Sequence, residues 1–164
     1  MGDVTIEEDR ASELTRMSLF EKVSGVPRQN SVALSPAEAF AGIALIAVAA
    51  DGYLADAEAQ VLSSTLRRMN LFRSYSGDVI RGMLDRLLRI LQQQGIKLLF
   101  DAAIQSLPSD LYETIFAVVT DLVLADGAIS SEEEQLLNDL YQALELSEEM
   151  AVKIIDVMLI KNRG

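Results

Sequence analysis

Residues 50–58 read Ala50-Asp51-Gly52-Tyr53-Leu54-Ala55-Asp56-Ala57-Glu58, and residues 125–133 read Ala125-Asp126-Gly127-Ala128-Ile129-Ser130-Ser131-Glu132-Glu133. Both have the form Ala-Asp-Gly-x-[Leu/Ile]-x-x-x-Glu, with an apolar helical run before and an acidic amphipathic run after. Subtracting 51 from 126 gives an offset of 75. Applied without gaps, it carries Glu38 onto Glu113, Val48 onto Val123, Leu62 onto Leu137, and Ile80, Met83 and Leu84 onto Ile155, Met158 and Leu159. Leucine-rich helices match one another by chance at apolar positions. They do not readily match at Asp-Gly, the following Leu or Ile, and Glu at one spacing. The chain is therefore expected to hold two copies of a three-helix unit, residues 35–89 and 110–164, joined by a linker over 90–109. Each unit alone leaves an apolar face open. The expected fold is all-α: a single helical-bundle domain over 31–164, built from two three-helix units related by a pseudo-twofold axis.

The individual helices follow from caps and periodicity. Ser35-Pro36-Ala37-Glu38 is a capping box with Pro at the first helical position, and predicts a helix running to about residue 50. That helix has no polar side chain between Glu38 and Asp51, so it is expected to be surrounded on all sides. Further helices are predicted over about 56–69, 77–94, 96–106, 111–125, 131–144 and 148–160. Asp110 and Ser147 are the expected caps of the fifth and seventh. Leu14, Met17, Phe20 and Val23 lie on one helical face, predicting an N-terminal helix over 6–24. The break around Gly25 and Pro27 then closes an N-terminal segment, 1–30.

At 164 residues, half of them apolar, the chain can bury a substantial core. Fourteen Lys and Arg against 25 Asp and Glu give a net charge of −11, which argues against nucleic acid as a partner. There is no Cys and no His, which removes disulfides, thiolate chemistry and imidazole bases or ligands. Carboxylates are left as the only acid–base pair, and no enzymatic activity is expected. The first residues are acidic where a secretory signal would be basic, and Ile6 stands where myristoylation wants Ser or Thr. The longest run without a polar side chain is 39–50, short of the roughly 20 residues that span a bilayer. A cytoplasmic protein with no transmembrane segment is expected.

The repeated loop, set between an apolar and an acidic helix, resembles the TerB-like tellurite-resistance family, whose relatives include domains of membrane-associated DnaJ-type co-chaperones. The resemblance covers roughly 35–160. It implies an all-helical fold, a bacterial cytoplasmic setting, a link to metal or chemical stress, and protein partners that include membrane proteins, hence a place at the periphery of the inner membrane. It brings no settled enzymatic activity.

The residues themselves leave two readings of the loops. Gly52 and Gly127 are expected to be left-handed and to end the preceding helices. Asp51 and Asp126 then sit at helix C-termini, where the dipole disfavours an acid, so each needs a reason: an Asx bond to its own turn, or a cation. Asp126, Gly127, Ile129 and Glu133 match positions 5, 6, 8 and 12 of a calcium EF-hand, but Leu122 and Leu124 stand at positions 1 and 3. Glu133 can close a capping box with Ser130, yet the first copy keeps Glu58 although Ala55 replaces the serine. Asp51 with Glu58, and Asp126 with Glu133, are therefore candidate ligands for a divalent cation, Ca²⁺, Mg²⁺ or Mn²⁺. Asp121 is a candidate third carboxylate of the second loop, or a polar residue on a solvated face. The alternative to a cation-binding module is an interaction scaffold whose loops are purely structural and which docks a membrane protein or a chaperone. Seven basic residues between Arg67 and Lys97 are expected to pair within the molecule, Asp85 with Arg89 among them, or to form a basic face for an anionic partner.

Overall fold

Ser35 and Glu38 form the capping box read from the sequence. The Ser35 hydroxyl accepts from the Glu38 amide at 3.1 Å, and the Glu38 carboxylate accepts from the Ser35 amide at 2.8 Å. From there the computed structural model, which describes residues 32–125 and 127–164, runs through seven α-helices. These are α1 (Pro36–Ala49), α2 (Asp56–Arg67), α3 (Gly77–Gln94), α4 (Ile96–Ser106), α5 (Tyr112–Leu124), α6 (Ser131–Ala143) and α7 (Glu148–Lys161). Short 3-10 turns at Asn70–Phe72 and Ser109–Leu111 precede α3 and α5. The expected helix over 6–24, the segment 1–30 and Asp126 lie outside the described residues.

The described elements are all helical, and no strand occurs among them. Helix α1 is the axis of the core. It packs against α2, α3, α4 and α5, and its residues 39–46 are all buried. Helix α5 lies beside it and packs on α6 and α7. This follows from composition: α1 and α5 are the two most apolar helices, so burying them against each other removes much apolar surface from water. Residues Ala33–Gly164 form one compact unit.

The structure departs from the expectations in three places. Helix α1 is not enclosed throughout, since Ala47 and Val48 are half-buried and Ala50 is exposed. Asp110 does not cap α5. Pro108 leads into the 3-10 turn, and α5 then starts at Tyr112 from Leu111, which has no side-chain cap bond. The third helices of the two halves also start out of step. The gapless offset carries the start of α3, Gly77, to residue 152, but α7 begins at Glu148, about one turn earlier, capped by Ser147.

That last difference has a packing cause. The connector 68–76 is long enough for its 3-10 turn to put Phe72 into the core, edge-on to Phe40 at 6.2 Å and to Tyr75 at 5.7 Å. The connector 144–147 is shorter and has no aromatic residue, and it buries the smaller Leu144 instead. Correspondingly α2 packs on α3, whereas α6 and α7 do not pack along one another.

Candidate functional site

The alanine and the glycine that flank the aspartate match in backbone between the two turns. Gly52 and Gly127 both have φ of +85°, and their amides donate to Ala49 O at 2.8 Å and Leu124 O at 3.0 Å. The residues before each turn, Ala50 (φ −58°, ψ −27°) and Ala125 (φ −61°, ψ −29°), match as closely. A left-handed residue is required to reverse the chain there, which is why glycine follows the aspartate in both.

Of the carboxylates singled out in the sequence, the four that lie among the described residues, Asp51, Glu58, Asp121 and Glu133, have structural partners. Asp51 accepts from the Tyr53 amide at 3.0 Å, an Asx turn that answers why an acid sits at this helix end. Glu58 accepts from the Ala55 amide at 3.0 Å, which is half of a capping box, since Ala55 has no oxygen to return. Glu133 accepts from the Ser130 amide at 2.9 Å while Ser130 Oγ accepts from the Glu133 amide at 3.1 Å, the complete box. Asp121, half-buried, accepts from Asn162 Nδ2 at 2.8 Å and from Lys161 Nζ at 3.1 Å, so it fastens the end of α7 to α5. Among the described residues no three carboxylates come together as a metal-holding group. Glu58 and Glu133 differ from Glu38 in one respect: the second oxygen of Glu38 pairs with Arg86, and among the described residues no cation pairs with the other two.

Sequence reasoning missed Gln92. Its amide donates to Gly52 O at 2.8 Å and ties the first turn to the end of α3. The bond joins residues 40 apart in sequence, so pattern alone could not reveal it. The basic stretch is partly paired, as expected, but through other partners: Arg86 with Glu38, Lys97 with Asp101, and Arg81 loosely with Asp56 at 3.8 Å. The Asp101 carboxylate, bonded to Lys97, holds that ammonium above its ordinary pKa.

The most distinctive surface lies in the second half. A groove of about 400 Å³ runs between α6 and α7 with α5 as its floor, lined by Leu124, Ile129, Leu137, Tyr141, Val152 and Ile155. Glu134 and Glu148 stand on its rim. Helix α7 carries further exposed apolar side chains: Leu159 lies on the helix side of Val152, while Val157 and Ile160 lie around the helix from them, all between 46% and 61% exposed. In the first half Leu45, Leu62, Leu66 and Ile80, at the positions matching Thr120, Leu137, Tyr141 and Ile155, are fully buried. The sequence does hold a signal for this surface: α7 carries more apolar residues than one face needs.

No family model, no curated protein and no solved structure matches the chain.

Proposed function

We propose that the chain is a non-enzymatic, TerB-like helical docking module, made of two copies of one three-helix unit, that takes a basic amphipathic helix of a protein partner into the α5–α6–α7 groove. The observation that carries this reading is the groove itself, which is apolar and has the half-exposed Val152 of α7 in its wall. Monomeric proteins rarely leave contiguous apolar surface open without a use. The charge of the partner follows from the surroundings. From Leu98 onward the chain has three basic and 13 acidic residues, and two of the acids rim the groove. A helix laid into such a groove with Lys or Arg flanking its apolar stripe gains both terms. The duplication is supported by the shared geometry of the two glycine turns. A cytoplasmic setting beside a membrane-protein partner fits this reading, as does the absence, among the described residues, of a helix long and apolar enough to cross a membrane.

The test is titration with an 18-residue synthetic amphipathic helix of Leu and Lys, followed by calorimetry. Saturable binding is expected, with a loss of about tenfold or more, ~1.4 kcal/mol, in Val152→Lys with Leu159→Lys. Both residues are half exposed, so the variant keeps the fold. Binding that is absent, or that survives the double change, removes the groove as a docking site.

The unpaired second oxygens of Glu58 and Glu133 favour one further reading of the loops, a divalent cation held with Asp51 and Asp126 and, in the second loop, Asp121. Melting the protein in millimolar Ca²⁺, Mg²⁺ or Mn²⁺ tests it, because a ligand that binds only the folded state raises stability with its concentration. Glu58→Gln with Glu133→Gln keeps a capping oxygen and removes the charges. A cation-dependent rise lost in that variant would establish the site, and a flat response in the parent protein would leave the loops as structural joints.

A further inference from the structure

A second cleft lies in the first half of the domain, and its chemistry is opposite to that of the groove. It opens between α2 and α3, has a volume of about 860 Å³, and is lined by Arg67, Arg68 and Arg81 together with Gln60, Ser64 and Thr65. In a protein of net charge −11, three guanidinium groups meet at one cleft. Their charges are poorly answered within the chain. Among the described residues no carboxylate pairs with Arg67 or Arg68, and Arg81 reaches only the fully exposed Asp56, at 3.8 Å. Arg81 Nε is buried and has no hydrogen-bond partner, which is costly for a charged donor. Asp78, at the start of α3, is the one other carboxylate on the cleft wall.

The backbone adds to the same field. Arg67 lies over the first turn of α3 in the space that a side chain at Gly77 would take: a Cβ there would stand 3.3 Å from Arg67 Nη1. The cleft therefore brings a guanidinium against the N-terminus of α3, where the dipole also favours an anion and Ser76 Oγ already accepts from the Val79 amide at 3.2 Å. Guanidinium forks match the paired oxygens of a phosphate, and Gln60 and Ser64 offer hydrogen bonds to a hydroxylated body, while the Thr65 hydroxyl already donates to Val61 O at 2.9 Å.

We propose that the cleft between α2 and α3 binds a phosphate monoester, held by the guanidinium groups of Arg67, Arg68 and Arg81. This site does not depend on the docking reading, because it shares no residue with the groove. The phosphate can belong to a free ester or to a lipid headgroup, and the two sources are separable.

Glycerol 3-phosphate is the probe for the first and vesicles of phosphatidylcholine with phosphatidic acid for the second. Amide chemical shifts of Gly77 and its neighbours are expected to move saturably with glycerol 3-phosphate and not with glycerol. Arg67→Gln and Arg81→Gln should each weaken binding by about tenfold, ~1.4 kcal/mol. Arg89→Gln, on the same helix but off the cleft wall, should leave it within about twofold. Arg67 is exposed, so its variant remains informative even if Arg81→Gln folds poorly. Co-sedimentation with the vesicles, lost in the same two variants, assigns the headgroup. Binding of the ester without co-sedimentation assigns the free metabolite. No saturable shift in the parent protein, or an equal loss in all three variants, overturns the proposal, the latter because diffuse charge would then account for the binding.

Discussion

Glu145 is the one residue other than glycine with a positive φ among those described, at +53°. It closes α6 in a Schellman arrangement. Its amide donates to Gln142 O at 3.1 Å, and the Leu146 amide reaches back to Tyr141 O at 3.3 Å. A left-handed conformation costs a side-chain-bearing residue roughly 1–2 kcal/mol, and glycine loses part of that gain to unfolded-chain entropy. Glu145→Gly is therefore expected to stabilise the protein by about 0.5–1 kcal/mol in denaturant unfolding, and a destabilised variant would contradict the cap. The opposite change at an Asp-Gly turn, Gly127→Ala, should cost about 1–2 kcal/mol, because its φ of +85° then falls on alanine. At this scale much was legible in advance. Both left-handed glycines and the Ser35 and Ser130 capping boxes follow from residue type and spacing. The partners of Asp121 do not, because Lys161 and Asn162 are 40 and 41 residues away in sequence.

At the scale of elements, helix α1 distinguishes burial from mere apolarity. Ala44 is fully buried among the packed helices, whereas Ala47 borders a cleft of about 330 Å³ shared with Ile96, Glu133 and Leu136. Ala44→Leu should destabilise by about 1–3 kcal/mol through overpacking. Ala47→Leu should stay within about 0.5 kcal/mol of the parent, since the added carbons enter open space. Thermal melts of the two variants check this, and equal melting temperatures would show that α1 does not hold the core as described. Gly42 sharpens the point. A Cβ there would meet Leu99 Cδ1 at 3.5 Å and Leu87 Cδ2 at 3.6 Å, which is ordinary contact. Gly42→Ala should consequently stabilise α1 by about 0.5–1 kcal/mol through helix propensity, measured in the same melts. From the sequence alone, all three positions read as one apolar stretch, since the pattern records which residues avoid water and not which neighbours they meet.

On the scale of the whole molecule, the two halves differ more than their sequences suggest. Phe72 fills the first half, and Phe72→Ala is expected to cost about 3–5 kcal/mol, measured by urea unfolding, since it would leave a cavity against Phe40. A cost below about 1 kcal/mol would mean that the aromatic plug is not what closes that half. The second half has no equivalent and keeps its groove, and α7 is held there partly by the bonds of Lys161 and Asn162 to Asp121. The sequence by itself determined the all-helical class, the seven helices of the described residues to within two residues at their ends, and the left-handed Gly52 and Gly127. These depend on caps, periodicity and left-handed glycines, which act over a few neighbouring residues. Only the tertiary structure decided that Asp51, Glu58 and Asp121 have structural partners, that Gln92 ties the first turn, that α6 and α7 part over α5, and that three arginines meet between α2 and α3. Each of these depends on which side chains distant segments present to one another, and on whether a connector is long enough to place an aromatic ring in the core.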